Sequence, residues 1–286
     1  MNFNILGFEV RNLLTVKTNK AMAQKRSENT YQKINTIFKR DANNIIMPYN
    51  EFAIPELEWL RNCKFDATEK IDGTNVRIEV VPTQGEDFEI TFEVAYKGKT
   101  DNANMPKHLD AFLKENYPEA KVLEALGLPK VVTQEVMAEK NWTSFESIPM
   151  YTIYGEGYGV KIQAGGNYIR NGVGFIVFDV KVGDWYLLRE AMESVAEKLG
   201  APVVPYMGQF TIDEAIDFVR KGFKSTIAEN PDYEAEGLVL KTPDGLKTRR
   251  GERIIFKVKT CDFRKYRAKY GTDERVEQPH NPNYKG

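Results

Sequence analysis

Two cysteines and two histidines are few for a chain of 286 residues, and the shortage removes several kinds of chemistry. Cys63 and Cys261 cannot make a disulfide framework and read as packing residues. The amino terminus, Met1-Asn2-Phe3-Asn4-Ile5-Leu6-Gly7, lacks a basic start followed by a long apolar stretch, so a reducing cytoplasm is the expected location. His108 and His280 stand far apart without cysteine partners, which argues against a zinc site or a histidine triad. No apolar run approaches the roughly 20 residues that a bilayer span needs, so no membrane partner is expected. An excess of one charge is missing too. With 40 Lys and Arg against 41 Asp and Glu, the net charge of -1 excludes a uniformly basic nucleic-acid binder.

The charge is nevertheless uneven. Basic residues gather near the amino end (Arg11, Lys17, Lys20, Lys25, Arg26, Lys33, Lys39, Arg40) and near the carboxyl end (Lys257, Lys259, Arg264, Lys265, Arg267, Lys269). Two such patches can track phosphates, or they can be solvated helix faces. Residues 1–48, without turn punctuation, are expected to form a basic helical extension. Residues 49–270 are expected to form the main domain, and 271–286, with Pro279 and Pro282 and few apolar residues, a loosely ordered tail.

Within the main domain, period-two alternation predicts strands over Val76–Val81 and from Phe88 to Tyr96, paired as a hairpin. Pro55–Leu60 reads as a brief helix. His108–Leu126 carries helical spacing that Pro118 interrupts. Tyr151–Tyr154, Phe175–Val180, Leu238–Leu240 and Ile254–Phe256 read as strands, and Ala191–Leu199 and Ile212–Val219 as helices, the second capped by Thr211 or Asp213. The expected class is α+β, mostly antiparallel sheets flanked by helices around a cleft.

The chemistry centres on Thr68-Glu69-Lys70-Ile71-Asp72-Gly73-Thr74-Asn75. An Asp-Gly turn feeding an alternating strand holds Lys70 on a strand end or loop, a good mount for a nucleophile. A lysine attacks phosphorus only as the neutral amine, and an ordinary pKa of roughly 10.4 leaves almost none neutral at pH 7. Desolvation or neighbouring cations shift that balance. Lys257-Val258-Lys259 can supply the cations, since residues i and i+2 share a strand face. Like charges placed so repel unless an anion lies between them, and a triphosphate is the obvious anion. Tyr154-Gly155-Glu156-Gly157 sets a carboxylate between glycines, where it can approach a ligand closely. Phe178 and Asp179 end an apolar strand. Glu236-Gly237-Leu238-Val239-Leu240-Lys241 puts an acid and a base five positions apart.

In this order, Lys70-Ile71-Asp72-Gly73, Gly155-Glu156-Gly157, Phe178-Asp179, Glu236 to Lys241 and Lys257-Val258-Lys259 resemble motifs I, III, IIIa, IV and V of the covalent nucleotidyltransferases. That superfamily includes ATP-dependent DNA ligases, RNA ligases and capping guanylyltransferases. DNA ligases and capping enzymes usually place Arg two residues after the motif I glycine, where this chain has Asn75. Lys-x-Asp-Gly-x-Asn is similar to ATP-dependent RNA ligases of the phage T4 RNA ligase 2 type and to the kinetoplastid editing ligases. Lys99-Thr100-Asp101-Asn102 resembles the segment after motif Ia, with Lys99 where Arg is usual, so the charge is kept and the bidentate fork is lost.

The resemblance implies a nucleotidyltransferase (ATP-grasp-like) domain and an ATP-dependent RNA ligase, a monomer that joins RNA or RNA/DNA strand ends, in the host cytoplasm if phage-encoded. It implies that ATP leaves AMP covalently on Lys70 with Mg2+ or Mn2+ present, and that Lys257 and Lys259 neutralise phosphates and activate Lys70. Phe178 is to stack on adenine, Glu69 to contact the base edge, Glu156 the ribose or a metal-bound water, and Lys241 the α-phosphate. Ile71 and Gly73 complete the nucleotide-binding set. Asp72, Glu156 and Glu236 are to hold the metal through water, and Asn75 and Lys99 to guide the 5′-phosphate. The rival readings are a DNA ligase or guanylyltransferase and, from another class, an inactive nucleotide- or RNA-binding module.

Overall fold

The alternating run after Asn75 becomes the middle of the larger of two sheets. The computed structural model describes residues 29–46, 51–163 and 168–271. Its strands are β1 (Asn35–Thr36), β2 (Phe65–Glu69), β3 (Thr74–Gln84), β4 (Ile90–Lys97), β5 (Val131–Val132), β6 (Tyr151–Gly159), β7 (Val173–Val182), β8 (Trp185–Tyr186), β9 (Tyr206–Phe210), β10 (Gly237–Lys241) and β11 (Ile255–Lys259). The helices are α1 (Lys107–Asn116), α2 (Glu119–Ala125), α3 (Gln134–Glu139), α4 (Arg189–Leu199), α5 (Ile212–Lys221) and α6 (Thr260–Tyr270).

The larger sheet is antiparallel throughout, in the order β5-β4-β3-β6-β7-β8. Period-two geometry sends Val76, Ile78 and Val80 to one side, where they meet Leu109 and Leu113 of α1, Val122 of α2 and Ala196 of α4 in one apolar core. The opposite face of β3 carries Arg77 and Glu79. The smaller sheet runs β1-β11-β10-β2-β9, with only β1 parallel to its neighbour. Phe65, Ala67, Leu238, Leu240, Phe256 and Val258 form its core with Ile212, Ile216 and Val219 of α5 and Phe263 of α6. Each sheet thus buries one face under helices, and residues 70–73 carry the chain from β2 in one sheet to β3 in the other. This is the expected α+β architecture.

Local signals account for most elements. Pro118 separates α1 from α2 because the chain cannot continue a helix through it. Thr211 caps α5 by a reciprocal capping box with Glu214. Three expectations change. Phe88 does not start β4: it sits in the turn closed by Gly85 and Glu89, at φ 64° and 78% exposed. The helical extension is not seen over 29–46, which is extended and laid across both sheets, with β1 beside β11. Its Asn29 and Tyr31 bond to Thr152 and Asp179 of the larger sheet. Residues 1–28 and 47–48 of that extension, with its basic cluster up to Arg26, lie outside the described residues, as do 272–286 of the tail. The carboxyl-terminal basic patch divides. Lys257 and Lys259 face the cleft, whereas Arg264 and Lys269 on α6 pair with Glu234 and Asp41. Among the described residues, no helix is long and apolar enough to cross a membrane.

Candidate active site

Lys70 stands on the crossover between the sheets. Its backbone N–H donates to Gly237 O at 2.8 Å, extending the β2–β10 pairing by one residue and fixing where the side chain begins. Its Nζ lies 2.6 Å from Glu236 Oε2, and Lys259 Nζ lies 2.6 Å from Glu236 Oε1. One carboxylate therefore separates two of the three lysines. Lys257 and Lys259 do share a face of β11, while Phe256 and Val258 fill the core behind it. The anion required between them comes first from the protein itself. Gly237, at φ 148°, allows this approach, because a Cβ there would fall 2.0 Å from Val258 O.

The three amines differ. Burial, then the charges of Lys70 and Lys259, push Lys257 down to about 8. Burial also opposes the charge on Lys259, but its bond to Glu236 outweighs this and raises it. Lys257 thus gives up its proton more readily than Lys259.

Glu156 enters from β6, opposite Asn75 of β3. Burial pushes its carboxyl up to about 7, against the pull of Lys70 and aided by Glu236 and Asp72. Asp72 is also raised, by burial and then by Glu236. The glycines around Glu156 have another purpose than expected. Alternation turns them away from the cleft, where a Cβ on Gly155 would meet Phe175 at 2.2 Å and one on Gly157 would meet Leu109 at 2.4 Å. Gly73 is the glycine that faces Glu156, for a Cβ there would lie 2.3 Å from Gly157 O and 2.9 Å from Glu156 Cγ. Ile71 is buried against Tyr168, Ile176 and Val204, with Phe178 packed on the same cluster. The side-chain oxygen of Asn75 is buried without a hydrogen-bond partner among the described residues.

Phe178 and Lys241 belong to a second cluster. Asp179 Oδ2 accepts from Tyr31 Oη at 2.7 Å, Lys241 Nζ at 2.9 Å and Arg253 Nη1 at 2.9 Å. Burial opposes ionisation of Asp179, but Lys241 and Arg253 outweigh it and hold the carboxyl below its usual range. Lys241 also donates to Phe178 O at 3.0 Å. At about 3.3 Å per residue, five positions carry Lys241 roughly 16 Å along β10 from Glu236, where it fixes the backbone that presents Phe178. A cavity of about 380 Å³ opens here, lined by Phe178, Lys241, Trp185 and Arg253 but by none of Lys70, Glu156, Glu236, Lys257 and Lys259.

Two other expected site residues also stand apart. The Glu69 carboxylate is buried and filled, accepting from Ser225 Oγ at 2.5 Å, Thr226 N at 3.0 Å and Thr226 Oγ1 at 2.9 Å. Lys99 is exposed on the loop Gly98–Asn102, which buried Arg77 anchors through Gly98 O at 2.9 Å and Asp101 Oδ1 at 2.8 Å. Sequence reading missed Arg77, Ser225, Thr226, Tyr31 and Arg253. It also missed Tyr168, whose hydroxyl accepts the Asp72 N–H at 3.0 Å. None lies in a local pattern that marks chemistry.

The carboxylates suit a metal held through water. Among the described residues no group of three or more side chains is arranged to bind an ion directly. Both oxygens of Glu236 face lysines, and its charge raises both Glu156 and Asp72. Mg2+ keeps several waters and usually takes one or two carboxylates beside phosphate oxygens, which fits this donor set.

A family model described as RNA ligase matches residues 64–259, a span that runs from β2 to the last residue of β11. No curated protein matches. Solved structures of Naegleria gruberi RNA ligase are similar at 18% identity. A mutant with ATP and Mn gives a TM-score of 0.48 over 83% of this chain and 58% of that one. An apo mutant gives 0.48 over 87% and 63%, and the ligase with pyrophosphate 0.47 over 86% and 63%. The chain thus spans about three fifths of the length of these relatives. The matched span holds every lysine and carboxylate of the cleft, and on it the chain belongs to the RNA ligase family.

Proposed function

We propose that the protein is an ATP-dependent RNA ligase that works through a lysyl-adenylate on Lys70, and that residues 49–270 are its adenylyltransferase domain. The observation that carries the reading is Lys70 on the crossover, 2.6 Å from Glu236, with the Lys257–Lys259 pair on β11, the strand beyond β10. The solved relatives with ATP, Mn and pyrophosphate support ATP and a divalent ion as the reagents.

In the first step Lys70 Nζ loses a proton and attacks the α-phosphorus of ATP. A P–N bond forms, the bond to the β-phosphate oxygen breaks, and pyrophosphate leaves. Lys257 and Lys259 stand where negative charge grows on the phosphates. Phe178 offers a ring for adenine, and Glu156 can accept from the ribose. Asp72, Glu156 and Glu236 would hold a divalent ion through water, and the ion would supply charge neutralisation at the transferring phosphoryl group. In the second step the 5′-phosphate of a strand attacks the same phosphorus, the P–N bond breaks, and Lys70 is restored. Asn75 and Lys99 guide that phosphate. In the third step a 3′-hydroxyl attacks the activated 5′-phosphate, a phosphodiester forms, and AMP leaves.

The test is incubation with Mg2+ and each labelled nucleoside triphosphate, followed by denaturing electrophoresis. Label retained from ATP supports a ligase, label retained only from GTP indicates capping, and no label indicates a binding module. Sealing is then compared on substrates with ribose or deoxyribose at each end. A ribose 3′ side is expected to be required, since a 2′-hydroxyl can be read locally. Equal joining at a deoxyribose 3′ side would turn the reading to a DNA ligase.

A further inference from the structure

The turns of two hairpins border the cavity beside Phe178, and neither turn takes part in the chemistry above. The β7–β8 hairpin turns at Gly183, φ 57°, and presents Trp185 with 78% of its surface exposed. The β10–β11 hairpin narrows to a turn in which Gly251 N–H donates to Thr248 O at 2.9 Å, so Arg249 and Arg250 occupy its two central positions, both exposed. Lys247 reaches back from that hairpin and sets Nζ 6.0 Å from the centre of the Trp185 ring. Arg253, at the base, lies 3.4 Å over the ring of Tyr186.

A wide aromatic face beside clustered Lys and Arg matches what a single nucleic-acid strand presents, a base with a π face and a phosphate on each side. We propose that these two hairpins form a docking site for a single-stranded RNA segment. Trp185 stacks on one base, and Lys247, Arg249 and Arg250 contact the flanking phosphates. The identity of the ligand rests on the ligase reading. The site lies apart from Lys70 and accounts for how a chain with no net positive charge holds a polyanion.

The experiment measures binding of a short 5′-phosphorylated oligoribonucleotide to the full chain by fluorescence anisotropy over a range of salt. The same preparations are assayed for label transfer from ATP. Trp185→Ala is expected to weaken binding about 5-fold or more, since a base stacked on an aromatic contributes roughly 1–3 kcal/mol, and Trp185→Phe is expected to restore most of it. Replacing Lys247, Arg249 and Arg250 by Ala is expected to lower the salt slope by about 2. Label transfer is expected to stay unchanged in every variant. RNA affinity within twofold of wild type for both sets, or no RNA binding by wild type, overturns the site. If wild type takes no label yet its RNA binding still depends on Trp185, the docking site stands and the ligase reading falls.

Discussion

Lys70 Nζ and Glu236 Oε2 are 2.6 Å apart, so the nucleophile rests as one half of an ion pair whose other oxygen is held by a second lysine. Glu236 keeps three cations from facing one another across the cleft. Glu236→Gln removes the charge and keeps the shape. Formation of the lysyl-adenylate at saturating ATP is expected to fall by about 100-fold or more, in line with other losses of preorganised electrostatics. A rate within a few-fold of wild type would remove Glu236 from the mechanism.

Only the first step needs the Lys70 amine as nucleophile. Lys70→Ala is therefore expected to abolish adenylate formation and to leave sealing of a pre-adenylated strand largely intact. Gel assays of the two steps check this. A Lys70→Ala protein that still forms an acid-labile, alkali-stable adenylate would show that the amine lies elsewhere.

Lys257 carries a pH signature. Its folded pKa of about 8 lies below the ordinary 10.5, so between these values the unfolded chain binds more protons and stability rises with pH. Below about 8 the charged amine carries the full cost of its surroundings. Lys257→Met is expected to melt higher than wild type at pH 7, and the gap is expected to close as pH is raised from 8 toward 10.5. A gap independent of pH in melting curves would count against the depressed amine.

Asp179 neutralises Lys241 and Arg253 together, with 4% of its side chain exposed. Asp179→Ala strands both cations beside the aromatic rings, and loss of one partner from a buried ion pair costs about 3–5 kcal/mol. The denaturant midpoint is expected to drop accordingly. An unchanged midpoint would mean that water satisfies the cations.

Arg77 is fully buried and holds Gly98 O, Glu79 and Asp101 with its three guanidinium nitrogens. Arg77→Met frees the loop that carries Lys99. The KM for a 5′-phosphorylated strand is expected to rise while adenylate formation by the folded protein stays near wild type. If the two fall together, Arg77 supports the whole sheet rather than the loop.

The lysine-lined cleft was legible because its parts are local. Lys70 and Asp72 share a turn, Lys257 and Lys259 share a strand face, and like charges on one face announce that an anion is near. That the anion is Glu236 could not be read, because the pairing of β10 with β11 sets their spacing. The same limit hid the partner of Lys241, whose amine the fold sets beside Asp179. Tyr31, Asp179 and Arg253 meet across 148 and 74 residues of chain, and no window of sequence contains that contact. The glycines beside Glu156 were conspicuous, but which face they serve depends on pleat register.

The strand order of the smaller sheet also bears on synthesis. The larger sheet is made of consecutive segments, complete once residue 186 has emerged, and it can assemble as the chain is made. The smaller sheet cannot, because β2 must wait for β10 and β1 for β11, about the last fifth of the described chain. A ribosome that stalls before β11 therefore releases a polypeptide that has Lys70 but not its lysine pair. Such a fragment is expected to remain unadenylated, so that nucleotide is committed only to finished molecules.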